Sequence, residues 1–134
     1  MTKKVTILAL AMGLVAVVGA ALAGEHSKGN TVEGTLVDTK CYLSNAKNSG
    51  NDHVTPKGTM PSCGTACAKM GIPVALLTAD GKVITLAVPA GQVADYLGKI
   101  ARATGLVKGS AIVAEKLEVK EGGAWKEVNL ATMM

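Results

Sequence analysis

Residues 74–97 read VALLTADGKVITLAVPAGQVADYL. Two runs rich in β-branched residues and leucine, 74–78 and 82–88, flank Ala79-Asp80-Gly81, and Asp-Gly between such runs marks a tight hairpin. Pro89 cannot extend a paired strand but suits the first turn of a helix, here over 89–97, where Val93, Tyr96 and Leu97 share a face. Gly98 ends that helix.

Outward from this unit the pattern stays β-rich. Residues 99–107 alternate weakly and read as a strand, 111–120 read as another, and Gly122-Gly123 turns the chain into 124–128. On the other side, 31–38 (TVEGTLVD) is a strand interrupted at Gly34, which implies a bulge or bend. The order is strand, long loop with a short helix, hairpin, helix and two strands. A five-stranded Greek-key barrel of the OB type has its helix between the third and fourth strands, where 89–97 falls. The expectation is a mainly β fold over 31–129, a small five-stranded OB-like Greek-key barrel with one or two short helices. A two-layer α+β sheet is the alternative.

The chain has 134 residues, enough for one domain. Met1-Thr2-Lys3-Lys4, an apolar run from Val5 to Ala20, and Ala21-Leu22-Ala23 before polar residues follow the three-part order of an export signal. The expectation is cleavage after residue 23, a flexible 24–30 segment containing His26, and a frayed tail at 130–134. It places the protein in the periplasm or outside the cell, with no membrane contact after cleavage. Lys3 and Lys4 leave with the leader, so much of the formal +4 charge leaves too. The chain has no Phe, and its aromatics are Tyr42, Tyr96 and Trp125. Neither a basic surface nor a row of stacking platforms is available, which argues against a nucleic-acid partner.

The connection between the first two strands, 40–73, breaks the regular pattern and collects the reactive residues: Cys41, His53, Cys63 and Cys67. Its end reads as a helix over 62–70, with Ser62 as N-cap, Gly71 after the last turn and Pro73 beyond. On that helix Cys63 and Cys67 share a face with Cβ atoms about 5–6 Å apart. A disulfide wants roughly 3.5–4.5 Å, so two thiols converging on one ion are favoured over a bond between them. The helix start is also expected to lower their pKa values. Cys41 and His53 complete a set of three thiols and one imidazole spaced C-x11-H-x9-C-x3-C, which suits Cu(I) or Zn(II) and is compatible with an iron centre. The spacing differs from those of zinc fingers, covalent haem attachment and thioredoxin-like sites.

Each residue also has a structural alternative. Cys41 could pair with Cys63 or Cys67 to staple the loop, since disulfides persist after export, and an odd cysteine count would leave one thiol free. His53 could be exposed without a role. Met60 and Met70 are expected to fill gaps beneath the helix, although their nearness to the cysteines tips a soft site toward copper. Trp125 suits a core or rim position. Asp38 could accept from a ligand imidazole or simply end the first strand. No nucleophile–base–carboxylate set and no phosphate-binding loop is present, so no catalytic residue is assigned.

Asp38-x-x-Cys41-Tyr42, His53, Cys63-x-x-x-Cys67 and Gly71-x-Pro73, followed by the Asp-Gly hairpin and Tyr96-Leu97-Gly98-Lys99, resemble a group of small exported bacterial proteins carrying these blocks. The resemblance covers most of the chain after the leader and implies the same boundaries and the same cysteine–histidine site. Cys63-x-x-x-Cys67 is also similar to the copper-binding pair of Sco-type copper-delivery proteins and of the cytochrome oxidase copper centre, though here Ala68 follows the pair. These readings imply an exported soft-metal-binding protein, with a metal-delivery or redox partner protein as a possible recipient. The alternatives are a thiol–disulfide protein with one bridge and one reactive cysteine, and an OB-type ligand-binding module.

Overall fold

The computed structural model describes residues 29–131. The expected leader, most of the 24–30 segment with His26, and Met133 and Met134 lie outside the described residues.

Eight strands and three short helices follow in the order β1 (Asn30–Asp38), α1 (Thr39–Ser44), β2 (His53–Thr55), β3 (Gly58–Met60), α2 (Cys63–Lys69), β4 (Val74–Leu77), β5 (Val83–Leu86), α3 (Ala90–Val93), β6 (Ile100–Lys108), β7 (Ala111–Glu121) and β8 (Ala124–Val128). A 3-10 turn at Ala94–Tyr96 prolongs α3. The fold is mainly β, as expected, and barrel-like.

The long β1 works for two neighbours. Its first part pairs antiparallel with β6, from Asn30↔Gly105 to Thr35↔Ile100, and its last part pairs with β4, from Thr35↔Leu77 to Asp38↔Val74. At this hand-over the backbones crowd: a Cβ on Gly34 would lie 2.5 Å from the Leu77 carbonyl oxygen, so only glycine fits. The bend expected at Gly34 is therefore a close strand crossing.

β4 and β5 form the Asp-Gly hairpin, closed by Gly81 N–H donating to Thr78 O at 2.9 Å. β5 then pairs parallel to the start of β7 at Thr85↔Ala111 and Leu86↔Ile112. β7 pairs antiparallel with β6, which returns to β1. The five strands thus curl into a ring, β1-β4-β5-β7-β6, with α3 between the third and the fourth in chain order, the arrangement of an OB barrel. β8 adds a sixth strand on the far half of β7, from Leu117↔Val128 to Glu121↔Ala124.

The inward faces supply Leu36, Leu76, Leu86, Ile112 and Leu117, the five largest fully buried aliphatic side chains. Burying each contributes about 2 kcal/mol, so an aliphatic ring core with no phenylalanine carries the fold. Val93, Ala94 and Leu97 join that cluster from α3 and its 3-10 extension, and Ala68 joins it from α2. Trp125 is half-buried, with the Arg102 guanidinium 4.3 Å above its ring.

The 39–73 insertion leaves at the end of β1 and returns at the start of β4. Its two ends are tied to each other: Pro73 O accepts Thr39 N–H at 3.1 Å and the Thr39 hydroxyl at 2.8 Å. α1 and the β2–β3 hairpin (His53↔Met60, Thr55↔Gly58) were not expected from the sequence.

Candidate metal centre

Asp38 starts the site. Fully buried at the N-cap of α1, it accepts the Lys40 N–H at 2.8 Å and the Cys41 N–H at 3.4 Å through Oδ1. Cys41 therefore lies in the first turn of a helix. Asp38 Oδ2 is buried with no N–H or O–H donor on it, and the Cys41 and Cys67 thiols lie beside the carboxylate.

His53 opens β2 and is 1% exposed. Its Nε2 lies 3.2 Å from Gly50 O. A carbonyl only accepts, so Nε2 carries the proton and Nδ1 is left with a lone pair. Nδ1 is buried and has no hydrogen-bond partner. The acceptor that orients this imidazole is a backbone carbonyl, and Asp38 serves the thiols instead.

α2 brings in Cys63 at its first residue and Cys67 one turn on. Ser62 holds the N-cap position in a left-handed conformation (φ 53) but makes no side-chain cap. The helix start is capped from the loop instead: Asn51 O accepts Gly64 N–H at 2.9 Å, and Asn51 Oδ1 accepts Thr65 N–H at 2.8 Å and Thr65 Oγ1–H at 3.0 Å. Asp52 Oδ1 accepts Ser62 N–H at 2.8 Å. These bonds come from the two residues just before His53, so capping α2 also fixes His53 against Cys63. Asn48, 5% exposed, does the same elsewhere in the loop: its Oδ1 accepts Val54 N–H at 2.8 Å and its Nδ2 donates to Cys41 O at 3.4 Å. The loop is thus ordered by asparagine hydrogen bonds.

The result is two donor triplets. In one, a ring nitrogen of His53 and the sulfurs of Cys41 and Cys63 all lie within 4.8 Å of one another. In the other, an Asp38 oxygen and the sulfurs of Cys41 and Cys67 do so. Cys41 belongs to both. All four sequence-selected residues meet in this cluster, and Asp38 joins them. The three cysteines are free thiols, and the alternative of a Cys41 staple is not formed. Sulfur, imidazole and carboxylate donors at this spacing make a cluster that could hold a metal ion.

Burial, then the Asp38 carboxylate beside them, push both the Cys41 and Cys67 thiols up, Cys67 to about 12. The expected lowering by the start of α2 is overridden at Cys67, one turn inside the helix, by desolvation and the nearby anion. Both shifts favour the protonated thiols. Met60 and Met70 do not fill gaps beneath α2; they are 51% and 74% exposed.

No protein-family model, no curated protein and no solved structure matches this chain.

Proposed function

We propose that this is an exported metal-binding protein that holds a borderline-soft ion, Zn(II) or Cu(I), through Cys41, Cys63, Cys67 and His53, in metal storage, delivery or sensing. The observation that carries this reading is the His53 ring. A backbone carbonyl fixes its tautomer, its other nitrogen is buried without a hydrogen-bond partner, and one of its ring nitrogens lies within 4.8 Å of two thiols. Leaving such an atom unpaired costs about 1–3 kcal/mol, which a bound ion at Nδ1 would remove. The exposed methionines weaken the thioether argument for copper and put zinc on an equal footing. Export rests on the leader-like residues 1–23.

A thiol–disulfide exchange role is less well supported. It expects one bridge, whereas all three cysteines are free thiols, and the surroundings of Cys41 and Cys67 favour the protonated form, which attacks disulfides poorly.

The test is anaerobic titration of the purified protein with Zn(II) and with Cu(I), each against a competing chelator, alongside Cys41→Ser. The reading expects tight binding of at least one of the ions, lost in Cys41→Ser. Equal binding by the variant would sink it. Intact-mass analysis of the protein from its native compartment tests export and expects a chain beginning at Gly24.

A further inference from the structure

We infer that the cluster is built for two cations bridged by the Cys41 sulfur, one on Cys41, Cys63 and His53, the other on Cys41, Cys67 and Asp38. The inference rests on the metal-binding reading above and extends it to nuclearity and to a new ligand, Asp38.

Spacing is the first support. The two triplets share Cys41 alone, and no set of four donors meets the 4.8 Å limit among the described residues. A single tetrahedral zinc bound to sulfur at about 2.3 Å needs its donors roughly 3.8 Å apart, all four together. The donors here are grouped as two threes around one shared sulfur.

The second support is independent of spacing. Among the described residues two buried side-chain polar atoms lack a hydrogen-bond partner, His53 Nδ1 and Asp38 Oδ2. Their residues are 1% and 0% exposed, and each belongs to a different triplet. Unpartnered buried polar atoms are rare in folded proteins and call for an explanation. His53 and Asp38 share no triplet, so a single ion in either triplet leaves the other residue without a cation. Two ions satisfy both.

Charge balance gives the class of ion. Deprotonated, the cluster presents three thiolates and one carboxylate around a largely buried centre. A single divalent ion on Cys41, Cys63 and His53 is balanced by two thiolates and leaves the Asp38 carboxylate without a cation, whereas two divalent ions balance all four anions. Each ion displaces thiol protons to solvent as it binds, with no change in oxidation state. The sulfur and nitrogen donors select a borderline metal of the zinc type.

The experiment is anaerobic loading with Zn(II), removal of loose metal by gel filtration, and counting of zinc per chain, for wild type, Asp38→Asn and Cys63→Ser. The asparagine keeps an oxygen for the α1 cap and loses the charged ligand. Two equivalents are expected in wild type and one in each variant. Cobalt(II) titration of wild type adds a second reading: the paramagnetic resonance signal should grow to one equivalent and fall as the second ion couples through the shared sulfur. One equivalent in wild type, or two retained in Asp38→Asn, overturns the two-ion inference and leaves the metal-binding reading standing. No binding by wild type overturns both. If Asp38→Asn does not fold, Cys63→Ser decides, because a folded C63S protein that binds nothing means one indivisible site.

Discussion

Asp38 and Cys41 are tied twice. The carboxylate accepts the Cys41 amide at 3.4 Å as part of the α1 cap, and one of its oxygens lies within 4.8 Å of the Cys41 sulfur. The same residue thus starts the helix that carries the shared thiol and sets the charge that thiol meets. Helix start and donor cluster are one piece of chemistry here, and substitutions at Asp38 should report on both.

Asp38→Ala removes the cap, the one oxygen that accepts both the Lys40 and the Cys41 N–H. A lost N-cap costs about 1–2 kcal/mol. The metal-free variant should lose about that much in urea unfolding, with an unchanged slope. Loss confined to the metal-loaded protein would mean that the cap contributes nothing.

The thiol protonation predicts a stability profile. Cys67 is raised from 9.0 to about 12 on folding, so the folded state holds its proton over a range where the unfolded state has lost it. The stabilisation is fully present below pH 9 and is lost as pH rises toward 12. The Tm of metal-free protein should fall across this window, and Cys41, shifted in the same direction, adds to the fall. Cys67→Ala should flatten the profile. An equally steep fall in that variant would place the titration elsewhere.

Metal affinity should depend on pH in the opposite sense. A metal must displace the protons that burial and Asp38 hold on Cys41 and Cys67. Apparent affinity should therefore drop as pH falls from 8 to 6, by about tenfold per unit for each proton released. Chelator competition at several pH values measures the slope, which Cys67→Ser should make shallower. A pH-independent affinity would mean that these thiols are not the ligands.

The positions where pattern and structure agree, and where they part, have physical reasons. The β4–β5 hairpin and α3 were legible because Asp80-Gly81 and Pro89 act locally. β6 was faint because its inward residues are Ala101, Ala103 and Gly105, which bury well but give little hydrophobic contrast. α1 and the β2–β3 hairpin left almost no trace, since Asn48, Asn51 and Asp52 hold that region through side-chain to backbone hydrogen bonds that have no period. Cys41, His53, Cys63 and Cys67 were visible by residue type alone. That Asp38 faces thiols and Gly50 O faces the imidazole depends on how the chain folds back over α2.

Asn51 is the link that holds His53 and Cys63 in register. Asn51→Ala removes both side-chain bonds to Thr65, and the cost should be about 1–2 kcal/mol in the metal-free protein. Because the loop leading to His53 loosens with it, metal affinity should also fall, although Asn51 is no ligand. Asn51→Asp, which keeps the acceptor, should recover most of both losses. Affinity unchanged in a destabilised Asn51→Ala protein would show that the ligands are positioned without this cap.

Gly98 connects the barrel to the same loop. It follows α3 with φ +83, and a Cβ there would lie 2.9 Å from the Asn51 backbone nitrogen. Gly98 N–H donates to Leu36 O at 2.7 Å in the ring core, so the position cannot shift without moving β1. Gly98→Ala meets both a disfavoured backbone conformation and a backbone clash, and should cost about 1–3 kcal/mol. The loop is the less anchored of the two partners, and it should yield first. The variant should therefore show faster amide exchange around Asn51–His53 and weaker metal binding, with the β1–β6 pairing intact. Uniform loss of protection across the ring instead would mean that the clash is taken up by the barrel.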